Sequence, residues 1–241
     1  MYYKYETHLH TSEVSLCASN TASEMVQAHK RAGYTGIIVT DHFLNGNSVV
    51  LSEGTWNEQI TRFIRGYKNA KSEGDKIGLD VFFGWEYTHN PYAEDFLTYN
   101  LPPQFLYKHP EVMDISFFEY SRLVQYYGGV LIHAHPFREA SYIKYPPNPK
   151  IKYIDGLEVI NGAANDPNNN NDKAWELARK HPELIRISGT DTHDVDNVGV
   201  GGVAFRYKIK DMAHFIKALR ANEGYLIIDG KICDDEGNIV G

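Results

Sequence analysis

Cysteine is scarce in these 241 residues: Cys17 and Cys233 are the two there are, too few and too far apart to frame a disulfide-stapled domain. No apolar run approaches the roughly 20 residues of a membrane helix. The opening Met1-Tyr2-Tyr3-Lys4-Tyr5-Glu6 lacks the apolar core and small-residue cleavage site of a secretory signal. These absences predict a cytoplasmic protein with no membrane partner. Basic residues are in deficit, 24 Lys and Arg against 31 Asp and Glu, and the net charge of -7 ranks nucleic acid below a small molecule as partner. Neither an internal repeat nor a Pro/Gly/Ser-rich linker divides the chain, which predicts a single domain over 1–241. The glycines between Gly199 and Gly202 lack both the Lys-Ser/Thr ending of a P-loop and the spacing of a dinucleotide fingerprint. They read as the entry into a strand Val203-Ala204-Phe205, and no nucleotide cofactor is expected.

Present instead are eleven histidines, several in short clusters, and neutral imidazole is the commonest metal ligand. They fall into a recurring pattern of helix, apolar strand and polar strand end. A strand over Tyr3 to Glu6 leads to His8-Leu9-His10. A capping box, Thr21-Ala22-Ser23-Glu24, opens a helix closed by Gly33, and Gly36 to Thr40 then delivers Asp41-His42. A helix from about Trp56 to Ser72 precedes Val81 to Gly84, with Glu86 just beyond. A second capping box, Ser116 with Glu119, starts a helix that feeds Val130 to Ile132 and His133-Ala134-His135-Pro136. Leu157 to Ile160 ends in Asn161, and a helix from Asp172 to Lys180 precedes Leu184 to Ser188, which runs into Gly189-Thr190-Asp191-Thr192-His193. The tail reads as a hairpin turning at Asp229-Gly230.

Strands alternating with helices predict parallel β-sheet with right-handed crossovers. Polar residues gather at the carboxyl ends of nearly every strand, and a closed or distorted barrel would bring all those ends together where an open sheet would spread them. His8 and His10, two apart in extended structure, point the same way and can share one metal. With His42, Glu86, His135, Asp191 and His193 they make seven candidate ligands, more than one catalytic zinc takes. At least two divalent ions are therefore expected, of zinc, manganese or iron, with Glu86 able to bridge.

The ordered series His-x-His, Thr-Asp-His, Gly-x-Glu, Ala-His-Pro and Gly-Thr-Asp-Thr-His, spanning about Glu6 to His193, resembles the polymerase-and-histidinol-phosphatase (PHP) family. The resemblance implies an α/β fold, a distorted (β/α)7 barrel with a two- or three-metal phosphoesterase site at the strand ends. It implies that His8, His10 and Asp191 hold a first ion, that Glu86 bridges to a second held also by His135, and that His42 and His193 serve a third. His133 lies off the family's ligand position and takes a supporting or substrate-facing role. For one further ligand His89, Asp95 and His109 compete, and Asp95, just before the strand-like Phe96 to Tyr99, matches best. Where trinuclear members carry another histidine after the His-x-His pair, this chain offers Glu13, Ser15 or Cys17.

The expected activity is hydrolysis of small phosphomonoesters by a hydroxide shared between ions, with Glu86, Asp191 and Arg138 in the catalytic set. Arg138 can offer a forked donor pair to phosphate oxygens, and Asn161 can face the pocket. Two other readings stay open: a phosphodiesterase or exonuclease acting on nucleotides or nucleic-acid ends, and a scaffold whose metals only stabilise the fold. His29 and His214 fall in helical patterns, and His109-Pro110 and His181-Pro182 mark element boundaries, so all four read as structural.

Overall fold

Reciprocal capping boxes start three of the helices of this computed structural model, which describes residues 1–240. After strand β1 (Tyr3–Leu9), helix α1 (Ala22–Arg31) opens on the Thr21–Glu24 box. Strand β2 (Gly36–Val39) follows, fully buried. The single helix expected over Trp56 to Ser72 is two, α2 (Trp56–Phe63) and α3 (Arg65–Ile77), separated at Ile64. A box that the sequence reading passed over, Thr55 with Glu58, caps the first of them. The break sets Gly66 against the Thr11 and Asp41 side chains, where a Cβ would collide with both.

Strands β3 (Asp80–Phe83), β4 (Trp85–His89) and β5 (Glu94–Tyr99) come next, then α4 (Pro103–Lys108) and α5 (Phe117–Tyr126), the latter capped by Ser116 and Glu119. Beyond them run β6 (Val130–His133), β7 (Gly156–Asn161), α6 (Asn171–Lys180) and β8 (Ile185–Gly189). Strand β9 (Gly201–Phe205), α7 (Met212–Arg220), β10 (Tyr225–Ile228) and β11 (Lys231–Cys233) complete the described chain. Gly201 and Gly202 are part of β9 itself, correcting their reading as an entry segment, and a Cβ on Gly201 would strike the backbone of Gly189. The tail hairpin turns at Asp229 and Gly230, both with positive φ (47° and 75°), the conformation of a tight two-residue turn.

Eleven strands form two sheets, ordered β11-β10-β9-β1-β2-β3 and β4-β5-β6-β7-β8. The all-parallel sheet implied by alternating helices and strands is met only in β1-β2-β3 and β6-β7-β8, and the other pairings are antiparallel. The connection from β4 to β5 is too short for a crossover and folds back as a hairpin. Among the described residues the strands do not close into one hydrogen-bonded cylinder. The two sheets nevertheless touch along both margins. Thr7 Oγ1 of β1 donates to the Ser188 carbonyl of β8 at 2.6 Å, and isolated bridges join Leu9 to Thr192 and His42 to Glu86. Apolar residues from both sheets and from α2, α4, α5, α6 and α7 pack into one buried cluster, with a second beneath α1 and α3. No helix is long and apolar enough to cross a membrane.

Candidate metal centre and catalytic site

The carboxyl ends of β1, β2, β6, β7 and β8, with Glu86 of β4, converge on one group of imidazoles and carboxylates. His8 Nε2 lies 3.2 Å from His10 Nε2, and both face Asp191 Oδ1, at 3.3 and 3.1 Å. Glu86 reaches across the group. Its Oε1 is 3.4 Å from His8 Nε2 and 3.2 Å from His135 Nε2, and its Oε2 is 2.8 Å from His42 Nδ1. His193 is more peripheral, its Nε2 3.9 Å from Asp191 Oδ1 and its ring stacked on His10 at 4.4 Å between centroids. Three sets of donors each gather within 4.8 Å: His8, His10 and Asp191; His8, Glu86 and His135; and His10, His42 and His193.

Hydrogen bonds outside the group settle which ring nitrogens face it. His8 Nδ1 lies 3.0 Å from Glu158 Oε1, and since a carboxylate only accepts, Nδ1 carries a proton and Nε2 is the nitrogen turned towards the group. His10 Nδ1 lies 3.1 Å from Ser15 Oγ. That hydroxyl donates its single proton to Asp41 Oδ1 at 2.8 Å and accepts the His42 N–H at 3.1 Å, so with Asp41 ionised the His10 Nδ1–H must donate. Two imidazole Nε2 atoms and a carboxylate oxygen thus point at a single spot. The Glu86 Oε2 and His42 Nδ1 pair, for all its closeness, makes no hydrogen bond of acceptable geometry, and each atom is buried without a partner. Such a donor set fits a divalent cation of the nitrogen- and oxygen-binding kind.

Without metal, the charges of these groups are tightly linked. Burial disfavours charge on Glu86, yet the His42 and His8 imidazoles hold it well below the carboxylate range. Asp191 is held low against its burial by His8 and Arg138. Burial, with His42 beside it, pushes His10 down to about 3, whereas the Asp191, Glu158 and Glu86 carboxylates outweigh burial and raise His8. Backbone strain accompanies these groups: His135 and Asp191 both adopt positive φ (28° and 52°), a costly conformation for residues other than glycine and one that gathers at functional sites.

The remaining expected residues are placed as follows. Asp95 stands at the margin, Oδ2 3.9 Å from His135 Nε2 and Oδ1 taken by Thr88 Oγ1 at 2.7 Å, and burial together with the Glu86 charge pushes it up to about 6. Its rivals are elsewhere: His89 pairs with Glu94 at 3.2 Å and His109 with Glu111 at 2.7 Å. Arg138 is in the site, Nη2 2.5 Å from Asp191 Oδ2 and 2.7 Å from Asn161 Oδ1, with Nε donating to Asn169 at 2.8 Å. Asn161 also donates to Glu158 at 2.9 Å. His133 is not brought into the group. Its ring stacks on Phe96 at 4.4 Å, its buried Nδ1 has no partner, and burial pushes it down to about 3.

Three buried acids were passed over in the sequence. Glu158 binds His8 and the His135 N–H, Asp41 binds Ser15 and both polar groups of Thr11, and Glu6 accepts the N–H groups of Thr7, His8 and Thr190. For Glu158 the available signal was an acid inside the otherwise apolar run Leu157 to Ile160, since a buried charge must find partners. Two cavities of about 660 and 620 Å³ open on either side of the group and share Arg138, Asp191 and His193 in their walls.

No protein-family model matches the chain, and no curated protein matches it. Solved structures do. A two-domain protein from Bacteroides vulgatus containing a predicted PHP-like metal-dependent phosphoesterase superposes with a TM-score of 0.70 at 14% identity, covering 96% of this chain and 66% of the other. A protein from Bifidobacterium adolescentis assigned as a metal-dependent phosphoesterase gives 0.59 at 14% identity, covering 90% and 96%. The lesion-specific Endonuclease Q of Pyrococcus furiosus gives 0.58 at 13% identity, covering 92% of this chain and 56% of that one. The chain thus spans less than two thirds of the first and third of these structures. At such identities the likeness is one of fold, and the fold is PHP-like, as the ordered motifs led one to expect.

Proposed function

We propose that the protein is a metal-dependent phosphoesterase acting on small phosphomonoesters, that 1–241 is one domain, and that its two sheets are the halves of a distorted (β/α)7 barrel. One observation carries the reading: the Nε2 atoms of His8 and His10 and Oδ1 of Asp191 gather on one buried spot, 3.1–3.3 Å apart, as donors around a shared cation do. In this reading His8, His10 and Asp191 hold one ion, Glu86 and His135 a second, and His42 and His193 a further one, with Asp95 beside the second. Divalent ions there, of zinc, manganese or iron, supply a low-pKa water at neutral pH and offset charge on the phosphate oxygens.

The rest of the work falls to the chain itself. Arg138, kept protonated by Asp191 against its burial, stands in the wall shared by both cavities and offers its guanidinium to a phosphate entering from either. Asn161 and Asn169 hold that guanidinium in place. Glu158 fixes the His8 tautomer and, through the His135 backbone, the strained turn that aims His135 inwards.

Charge favours a small ester over a polymer. Arg138 is the one Arg or Lys side chain lining the two cavities, against Glu139, Asp166, Asp191 and Asp194 in the first and Asp95 and Asp191 in the second. A nucleic-acid track needs a line of basic groups along the backbone. The test is turnover of a panel of aryl and alkyl monoesters, diesters and single-stranded DNA by protein stripped with chelator and reloaded. Monoester turnover that needs added metal and is lost in His10→Ala is the expected result. Cleavage of diesters or DNA alone would replace the monoesterase reading, and inert protein that retains metal would reduce the centre to a scaffold.

A further inference from the structure

The two cavities beside the metal group differ in character. Both reach Arg138, Asp191 and His193, but the second, of about 620 Å³, also has His42 and Asp95 in its wall and so lies over more of the group. The far wall of the first carries Glu139, Asp166 and Asp194, which repel an anionic ester. In the second, the charged and imidazole side chains all belong to the group or border it, and the far wall is neutral, with the amides of Asn45, Asn47 and Asn90 and the ring of Tyr142. Two of these amides are fixed in place: Asn45 Nδ2 donates to the Thr88 carbonyl at 2.8 Å, and Asn90 Nδ2 to the Asn45 carbonyl at 2.9 Å. Each bond uses one of the two amide hydrogens and leaves the second to donate. Tyr142 stands on the loop between β6 and β7, which is tied down on both sides of it. Ile143 N–H donates to the Ala140 carbonyl at 3.0 Å, Tyr145 packs on Tyr92 at 5.0 Å between centroids, and Lys150 pairs with Glu94 at 3.1 Å. Tyr142 thus borders the cavity from an anchored loop with 55% of its surface open.

We propose that the second cavity holds the alcohol portion of the substrate and that this portion is a neutral ring rich in hydroxyl groups, so that the substrate is a sugar or cyclitol monophosphate. The inference rests on the phosphomonoesterase reading. With the phosphate at Arg138 and the metal group, the ring lies against Tyr142, its C–H face on the aromatic face, and its hydroxyls meet the amides of Asn45, Asn47 and Asn90. An apolar ring of the same size would bury those amides without partners, and a charged one would find no opposite charge on the far wall. Tyr142 and the three asparagines are therefore specificity-determining residues, acting on the part of the ester that does not react.

The test measures kcat/KM of the metal-loaded full chain for two matched pairs of esters, glucose 6-phosphate with cyclohexylmethyl phosphate and myo-inositol 1-phosphate with cyclohexyl phosphate, and for methyl phosphate. In one pair the hydroxylated ester is expected to exceed its apolar partner by about 10-fold or more, and the pair that does so tells sugar from cyclitol. Asn47→Ala, at an exposed position, should lower that ratio by about 3–10-fold, the worth of one hydrogen bond, while Asp166→Asn in the wall of the other cavity leaves the ratio as in the wild type. Tyr142→Ala should raise KM for the preferred ester about 3–10-fold relative to methyl phosphate, and Tyr142→Phe, which keeps the ring, should restore it. Equal kcat/KM for hydroxylated and apolar rings, or a KM that Tyr142→Ala leaves unmoved, overturns the inference while the phosphomonoesterase reading stands. Protein that turns over none of these esters, methyl phosphate included, overturns that reading and this inference with it.

Discussion

His8 and His10 present their Nε2 atoms to one another at 3.2 Å, and each is held that way by a partner on its far side, Glu158 for His8 and Ser15 for His10. The outer partners therefore decide the tautomers, and the tautomers decide whether a cation can be held. Glu158→Gln keeps an acceptor for His8 but removes the second oxygen, which receives the His135 N–H and the Asn161 amide. Metal affinity is expected to fall about 10–100-fold, the usual cost of losing such an outer partner. Titration calorimetry against metal-free protein measures it, and unchanged affinity would show that His8 is oriented by packing alone.

Binding to the folded state alone must also stabilise it. At a metal concentration 100 times the dissociation constant the gain is about 2.7 kcal/mol, which for a chain of this size is roughly 5–10 °C in Tm. Calorimetric scans with and without zinc or manganese should show that increment in the wild type and little of it in His10→Ala. An equal increment in the variant would place the binding elsewhere.

Strand-end residues were legible in the sequence because they sit in local phrases. His8-Leu9-His10 directly follows a strand, and Asp191 and His193 directly follow another, so their convergence needed only the rule that such ends meet. What was not legible depended on partners far along the chain. Glu158 meets His8 across 150 residues, and Glu6 meets Thr190 across 184, contacts that no local pattern encodes. The sheet itself was misjudged for the same reason. Alternation of helix and strand is shared by parallel and mixed sheets, and they are separated by pairings such as β9 beside β1, in antiparallel register from Tyr3–Phe205 to Tyr5–Val203. His133, expected in a supporting or substrate-facing role, lies outside the three donor groups with its ring stacked on Phe96.

Arg138 is forked across Asp191, Asn161 and Asn169, a geometry that a lysine ammonium cannot reproduce. Arg138→Lys keeps the charge and loses the fork. With charge-assisted hydrogen bonds worth about 1.5–3 kcal/mol each, kcat/KM for a phosphomonoester should drop by roughly 10–100-fold. Metal content should stay near the wild-type value, because the carboxylate of Asp191 is still present. Loss of metal together with activity would recast Arg138 as a support for Asp191 rather than a phosphate contact.

Asp41 supplies a pH dependence of opposite sign to that of most acids. Burial pushes its carboxyl up to about 7, against the lowering effect of its hydrogen bonds to Thr11 and Ser15. An acid whose folded pKa lies above its unfolded value is favoured by the fold in its neutral form. Its stabilising contribution is complete below pH 4 and is lost as pH rises through 7. Asp41→Asn, neutral throughout, can still accept the Thr11 N–H and Ser15 hydroxyl on its one oxygen and donate to Thr11 Oγ1. In metal-free protein the variant should therefore gain on the wild type between pH 4 and 7, by roughly 1–4 kcal/mol at the upper plateau. Urea unfolding of both proteins in chelator at pH 4, 5.5 and 8 tests the sign, and a stability difference that stays constant across the three would mean that Asp41 is ionised in the folded protein throughout.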